Sequence, residues 1–156
     1  SATGADINAQ FQYEKNYLNH NPDVHLELSF NEELAHLIYA GADMIVVPSN
    51  YEPCGLTQMI GLKYGTVPIV RAVGGLVNTV FDRDYETGKP PERRNGYVFN
   101  DMDYHAVDFA MERALWLWYN DKDEYRMLMK QGMECDYSWN NPGSEYLGIY
   151  ESIREN

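Results

Sequence analysis

The segment of residues 48–58 constrains the fold of this chain more than any other, because it joins a strand pattern to a helix pattern. The apolar run Met44–Val47 before it is typical of a buried strand. Pro53 prevents the following helix from beginning earlier, since its ring fixes φ and moves the preceding residue out of the α region. The segment therefore predicts a strand, a sharp turn and a helix, which is the repeating unit of a parallel α/β sheet.

The same segment has the composition of an anion-binding site. Cys54 and Gly55 present backbone N–H groups at the predicted start of the helix, where unpaired donors and about half a positive charge favour a phosphate. Glu52 stands just before these donors, so its carboxylate could accept sugar hydroxyls while the amides hold a diphosphate. This arrangement suits a sugar nucleotide. The alternative is that Glu52 only interacts with the helix dipole, which is worth less than about 1 kcal/mol.

Strand and helix patterns alternate along the rest of the chain and predict an α/β fold. Strands are expected at residues 24–28, Met44–Val47, 67–70 and 97–99. Helices are expected at residues 7–18, 56–64, 104–119, 124–132 and 141–153, and between Ser29 and Gly41. We expect Ser29 and Glu32 to form a capping box, and Gly65 to end the helix at 56–64. Residues 82–95 are charged and rich in Gly and Pro, which predicts a mobile loop.

Composition excludes several classes of protein. The chain has 156 residues, the size of one domain, and no apolar run near the roughly 20 residues of a membrane helix. Its 24 acidic and 12 basic residues give a net charge of −12, which disfavours nucleic acid as a partner. Cys54 and Cys135 form no metal-binding or disulfide pattern, so we expect a reducing compartment and no metal or other cofactor. The chain begins at Ser1 rather than Met, which favours an excised or processed chain.

Three motifs resemble one family. Residues 48–58, 63–71 and 74–80 read PSNYEPCGLTQ, KYGTVPIVR and GGLVNTV, and they resemble segments of the bacterial glycogen synthases and plant starch synthases. These enzymes are retaining glucosyltransferases of the GT-B fold. The similarity runs from about Val24 through residues 137–139. The linker at residues 81–96 and the Trp-rich tail look most like starch synthases of classes III and IV.

The resemblance implies roles for individual residues. The glutamate matching Glu52 contacts the hydroxyls of the transferred glucose and stabilises positive charge as the bond to phosphate breaks, so Glu52 is the expected catalytic residue. The amides of Gly55, Leu56 and Thr57 are expected at the distal phosphate, and Cys54 is expected to contribute backbone and packing. The expected nucleotide-sugar-binding residues are Phe30, Cys54, Gly55, Leu56, Thr57, Gly74 and Gly75.

Some positions depart from the family pattern or keep a simpler interpretation. Phe30 stands where the family usually has a Tyr against the adenine ring, and it could instead be a core residue. Ile60 replaces a second glutamate found in some GT-B relatives, and Val73 replaces a Thr. Thr57 could be an ordinary first-turn residue. His36 is expected to be structural or exposed. Trp116 and Trp118 are expected to pack rather than to bind carbohydrate.

The resemblance implies that residues 1–156 are part of a C-terminal, Rossmann-like nucleotide-sugar-binding domain, with a helical segment at about 103–156. The first two strands of that lobe would be absent, with residues 1–4 as the turn after the second. The strand at 24–28 would then lack a neighbour. The N-terminal part that binds the acceptor, and the family's phosphate-binding Arg and Lys, would also lie outside the chain.

The expected activity is transfer of glucose, with retention, from ADP-glucose to the non-reducing end of an α-1,4-glucan. The partners would be ADP-glucose, the glucan acceptor and the missing N-terminal part of the enzyme, without nucleic acid or membrane. The expected compartment is the plastid, with the bacterial cytoplasm as the alternative. Two other functions stay open: a GT-B enzyme that uses a UDP-sugar, and a non-catalytic fragment that binds glucan or a synthase partner. We expect the isolated chain to be inactive.

Overall fold

The computed structural model describes residues 4–154. The chain divides into two units, the first extending to Ala35 and the second beginning at His36. Most of the turn expected at residues 1–4 therefore lies outside the described residues. The first unit contains the helix α1 (Gly4–Leu18), which starts earlier than the sequence predicted.

The segment at residues 24–28 does not form the predicted strand, since it has no regular structure and, in line with the expected lack of a neighbour, pairs with no strand of the described sheet. The side chain of Asn19 takes the place of a neighbouring strand at Leu26. The N–H of Leu26 donates to Asn19 Oδ1 at 2.7 Å, and Asn19 Nδ2 donates to the carbonyl of Leu26 at 3.2 Å. A strand needs a row of backbone partners, and here a single side chain satisfies one residue of the segment.

The carboxylate of Glu27 organises the end of this segment. It accepts hydrogen bonds from the N–H of Leu28, from the N–H and hydroxyl of Ser29, and from Lys15. These contacts lower the pKa of Glu27 to about 2, and the hydrogen bond from the N–H of Ser29 has the largest effect. Because Glu27 holds the Ser29 hydroxyl, the predicted capping box is wrong. Asn31 caps the next helix instead, accepting the N–H of Leu34 at 3.0 Å.

The helix α2 (Glu32–Gly41) leads into the second unit, whose centre is a parallel sheet of three strands. The strands are β1 (Met44–Val47), β2 (Val67–Arg71) and β3 (Tyr97–Phe99), in the order β1-β2-β3. The remaining helices are α3 (Thr57–Tyr64), α4 (Tyr104–Asn120), α5 (Lys122–Glu134) and α6 (Asn140–Arg154). The predicted α/β class and parallel sheet are confirmed, and Gly65 ends α3 with φ +86° as expected.

Alternating side chains of the strands fill a core on each face of the sheet. One core joins β2 and β3 to α4 and α5, and it contains Val67, Ile69, Tyr97, Phe99, Ala110, Ala114, Leu117, Tyr125 and Leu128. The other face carries the short 3-10 helix Gly74–Asn78 and buries Val47, Val70, Leu76 and Val80. Because the three strands are parallel, their carboxyl ends lie at the same edge of the sheet, where the following loops begin.

The two tryptophans of α4 have different environments. Trp118 packs against the first core, as the sequence predicted. Trp116 is 63% exposed, so the expectation that it packs is wrong. The buried stripe of α4 runs through Ala110, Ala114 and Leu117, and the helical period turns Trp116 away from it.

The segment 82–95 follows a defined path, in contrast to the predicted mobile loop. Asp82 accepts the N–H groups of Asp84, Tyr85 and Val98, and the guanidinium of Arg113 donates to both of its carboxylate oxygens at 2.9 and 3.0 Å. Burial alone would raise the pKa of Asp82, but the hydrogen bonds from Arg113 and the backbone lower it. The sequence pattern misled because the first charges of this segment, Asp82, Arg83 and Asp84, form ion pairs that hold its path.

Candidate functional site

The turn that carries Glu52 follows the carboxyl end of β1, at the edge of the sheet where ligands bind in open α/β folds. Arg71, the last residue of β2, holds this turn in place. Its Nη1 donates to the carbonyls of Ser49 and Asn50 at 3.4 and 3.2 Å, and its Nε donates to the carbonyl of Asn100 at 3.1 Å. One guanidinium thus ties together the loops that follow β1 and β3. The sequence analysis did not identify Arg71, because nothing local indicates its partners.

Glu52 is a half-buried residue, and its carboxylate Oε2 accepts the hydroxyl of Ser49 at 3.0 Å. The backbone of Glu52 contacts a second turn, since its carbonyl accepts the N–H of Gly75 at 3.0 Å. A Cβ on Gly74 would lie 1.7 Å from the carbonyl oxygen of Glu52, and one on Gly75 would lie 1.9 Å from that of Cys54. The two turns therefore approach so closely that only glycine fits.

The start of α3 has no side-chain cap. Gly55 is buried with φ +75°, and Leu56 caps the helix without any hydrogen bond from its side chain to the helix N-terminus. The side chain of Leu56 is 65% exposed, and Cys54 is exposed. Thr57 is half-buried in the first turn. A helix N-terminus of this kind offers backbone donors and a positive dipole end to an anion.

Gln58 and Thr79 connect the two turns from beneath. Gln58 is completely buried, and its Nε2 donates to the carbonyl of Gly55 at 2.8 Å and to Thr79 Oγ1 at 3.0 Å. The Thr79 hydroxyl is 3.0 Å from the carbonyl of Gly75. The sequence analysis missed both residues, since they lie 21 positions apart.

The structure brings six of the seven predicted binding residues together around Glu52 in the second unit. Phe30 belongs to the first unit, where its side chain is 94% exposed. The alternative that Phe30 is a core residue is therefore wrong. His36 was expected to be structural or exposed, and it is exposed, with its Nδ1 3.1 Å from the hydroxyl of Tyr64.

Among residues 4–154, no cluster of three or more His, Cys, Asp or Glu side chains is positioned to hold a metal ion. In the same part of the chain, no helix combines the length and apolar character that crossing a membrane requires.

No protein-family model matches the chain. The chain is 72% identical over 154 residues to a probable glycogen synthase 2 of Nostoc sp., covering 99% of this chain and 31% of that protein. It is also 72% identical over 154 residues to glycogen synthase 1 of Trichormus variabilis, with the same coverage. Glycogen synthase 1 of Nitrosococcus oceani is 58% identical over 149 residues, covering 96% of this chain and 30% of that protein.

Two solved structures share the fold. The catalytic domain of starch synthase IV from Arabidopsis thaliana, bound to ADP and acarbose, superposes with a TM-score of 0.87 at 34% identity, covering 95% of this chain and 30% of that one. A sucrose-phosphate synthase from Thermosynechococcus elongatus gives a TM-score of 0.65 at 27% identity, covering 94% of this chain and 34% of that one.

The fold and these similarities define the class: the chain has the architecture of the C-terminal lobe of a GT-B glycosyltransferase. The chain is a homologue of the glycogen synthases and corresponds to the C-terminal region of the glycogen and starch synthases, so the resemblance seen in the sequence is confirmed. It spans about a third of the length of these relatives.

Proposed function

We propose that this chain is the donor-binding part of an ADP-glucose-dependent glucan synthase. The whole enzyme would transfer glucose, with retention, from ADP-glucose to the non-reducing end of an α-1,4-glucan. One observation carries the proposal: the Glu52 carboxylate stands beside the open N-terminus of α3, and Gly74 and Gly75 pack against the same turn. A carboxylate, an anion site and a second turn packed against both are the three parts proposed to hold the nucleotide sugar.

Each part has a separate task in the proposed reaction. The amides of Gly55, Leu56 and Thr57, together with the helix dipole, stabilise the diphosphate as it leaves with its negative charge. Glu52 accepts the hydroxyls of the glucose and stabilises the positive charge that develops on the ring in the transition state. Gly74 and Gly75 place their backbone beside the sugar by packing against the carbonyls of Glu52 and Cys54, and Cys54 contributes backbone rather than a nucleophile.

Phe30 supplies the contact to the base in this proposal. Its ring is 94% exposed, and an aromatic face of this kind can stack on adenine. The starch synthase IV structure that resembles this chain was solved with ADP and acarbose, which supports an adenine nucleotide and an α-glucan as the two ligands. The bacterial source of the similar glycogen synthases favours the bacterial cytoplasm over the plastid.

A chimera tests this function, with this chain in place of the matching 154-residue region of the Nostoc glycogen synthase. ADP should raise the melting temperature of the chimera more than UDP at equal concentration. A ligand stabilises the native state more when it binds that state more tightly. Labelled glucose should enter glycogen from ADP-glucose. Incorporation from UDP-glucose alone would make the chain part of a UDP-sugar enzyme. An inactive chimera beside an active Nostoc parent would make it a non-catalytic binding fragment.

A further inference from the structure

Gln58 is a buried amide whose two N–H groups are both used, one on a backbone carbonyl and one on a side-chain hydroxyl. Its side chain is completely buried, and Nε2 donates to the carbonyl of Gly55 at 2.8 Å and to Thr79 Oγ1 at 3.0 Å. A carbonyl only accepts hydrogen bonds, so the contact with Gly55 fixes which end of the amide is the nitrogen. Gln58 therefore restrains the turn that precedes α3.

Thr79 extends this contact to the second turn. Its Oγ1 accepts from Gln58 and donates its single proton toward the carbonyls of Gly75 at 3.0 Å and Leu76 at 3.3 Å. The hydrogen bonds thus run from the carbonyl of Gly55 through Gln58 and Thr79 to the carbonyl of Gly75. Each N–H of Gln58 has one acceptor and the Thr79 hydroxyl proton lies between two, so every donor along this path is used.

The amide of Gln58 fills this buried space at a cost in stability. Its Oε1 is buried and has no hydrogen-bond partner among the described residues, and an unsatisfied buried acceptor destabilises a fold. A Cβ on Gly55 would also lie 2.8 Å from both Oε1 and Nε2 of Gln58. An apolar side chain of similar size would fill the volume without the unsatisfied oxygen. What it could not do is donate to Gly55 and Thr79 together.

We propose that Gln58 and Thr79 form a positioning pair that sets the spacing of the two turns that hold the nucleotide sugar. The pair keeps the amides beside Gly55, on the phosphate side, in fixed register with Gly75, on the sugar side. Neither side chain contacts the substrate, and both act through backbone carbonyls. The inference rests on the proposed function, since it assigns these two turns to one ligand. A small displacement of either turn weakens transition-state stabilisation because it depends on preorganised geometry.

The test uses Thr79→Val, which removes the hydroxyl, and Thr79→Ser, which keeps it, together with Gln58→Met, all in the chimera. We expect Thr79→Val and Gln58→Met each to lower kcat/KM for ADP-glucose about ten- to hundredfold. Thr79→Ser should stay within about twofold of the wild-type chimera. The double variant Gln58→Met/Thr79→Val should be little worse than either single one, because the two residues act as a unit.

Stability is measured in parallel to separate positioning from folding. Loss of activity that follows the melting temperature, or that is additive in the double variant, would overturn the pair as a positioning device. Activity within twofold in both Thr79→Val and Gln58→Met would also overturn it. If the wild-type chimera uses only UDP-glucose, the proposed donor is wrong, and the same comparison with UDP-glucose decides the pair.

Hydrogen exchange gives a readout that does not need activity. Peptides covering residues 52–58 and 74–80 of the chimera should exchange faster in Thr79→Val than in Thr79→Ser, because the two turns lose their connection. A peptide from α5 should be unchanged. Equal exchange of the two turns in both variants would contradict the pair, whether or not the chimera transfers glucose.

Discussion

Glu52 owes its position to backbone contacts more than to its own side chain. Its carbonyl accepts the N–H of Gly75, and Arg71 holds the carbonyls of Ser49 and Asn50 just before it. Only the hydroxyl of Ser49 contacts its carboxylate directly among the described residues. Most of the carboxylate's hydrogen-bonding capacity is therefore left for a ligand, on a turn that the surrounding backbone keeps in place.

Replacing Glu52 by Gln in the chimera should lower turnover. The activation free energy should rise by about 2–4 kcal/mol, the range for losing one preorganised electrostatic group. ADP affinity should change far less, because ADP lacks the sugar that Glu52 would contact. Steady-state kinetics with ADP-glucose and ADP titration measure the two effects. Glu92→Gln, at an exposed position, is the matched control. Near-normal turnover in the Glu52 variant would remove this residue from the mechanism.

Phe30→Ala should weaken ADP binding by roughly 1–3 kcal/mol, the usual value for a base stacked on an aromatic residue. The ring is 94% exposed, so the melting temperature should hardly change. Phe30→Tyr should bind ADP as well as the wild type, and Tyr13→Ala, at another exposed aromatic of the first unit, should have no effect. Calorimetry on the chimera measures all three. Normal ADP binding by Phe30→Ala would place the base elsewhere.

Gly75→Ala tests the contact between the two turns. Its Cβ would lie 1.9 Å from the carbonyl oxygen of Cys54, so the backbone has to move, at a cost of about 1–3 kcal/mol. Both stability and turnover of the chimera should fall. Gly148→Ala in α6, where nothing lies within 4 Å, should instead stabilise by roughly 0.5–1 kcal/mol. An unchanged melting temperature in Gly75→Ala would mean that the two turns are not in contact.

At the scale of elements, one ion pair links the segment 82–95 to α4 and β3. The guanidinium of Arg113 contacts Asp82 and Asp84 and donates to the carbonyl of Val98 at 3.2 Å. The side chains of Arg113 and Asp82 are only 12% and 9% exposed. The pair therefore decides the path of a segment that has almost no regular structure of its own.

Asp82→Asn should destabilise the second unit by about 1–3 kcal/mol, because it removes one of the two carboxylates that the largely buried guanidinium of Arg113 contacts and leaves Asp84 as its charged partner. Asp123→Asn, which breaks the exposed pair with Arg126, should cost less than about 1 kcal/mol. Urea unfolding of the chimera measures both. Equal effects of the two substitutions would contradict the structural role of the buried pair.

The same ion pair predicts that the stability of the fold decreases at acidic pH. The pKa of Asp82 is lowered below its ordinary 3.8, so the ionised carboxylate stabilises the fold above about pH 4. That contribution is lost as the pH falls through the lowered pKa of the folded state. The wild-type chimera should lose stability below pH 4 more steeply than Asp82→Asn, which has no proton to bind at this position.

At the scale of the whole molecule, the isolated 156-residue chain should transfer no glucose, whereas the chimera should. The chain covers 31% of the Nostoc protein and carries a net charge of −12, which opposes a diphosphate. Arg71, a cation beside the site, already donates hydrogen bonds to three carbonyls. Positioning a second substrate alone is worth about 7–11 kcal/mol. Labelled-glucose incorporation by the chain at a rate near that of the chimera would contradict this prediction.

The local sequence determined the elements and the turn at Glu52. Apolar runs, Pro53 and Gly65 act within a few residues of themselves, so the strands β1, β2 and β3, the helix α3 and its left-handed end follow from short-range patterns. The resemblance to glycogen and starch synthases lay in the same contiguous motifs. These features depend on interactions that a short segment contains.

Only the tertiary structure decided which groups meet. The pattern at residues 24–28 predicted a strand, but a strand forms only where another backbone runs beside it, and Asn19 satisfies Leu26 instead. Arg113 meets Asp82 across 31 positions, and Gln58 meets Thr79 across 21. Such contacts form only when the chain folds back across the sheet. The sequence around each residue does not indicate its partner, because a hydrogen bond or an ion pair forms wherever the fold brings the two groups together.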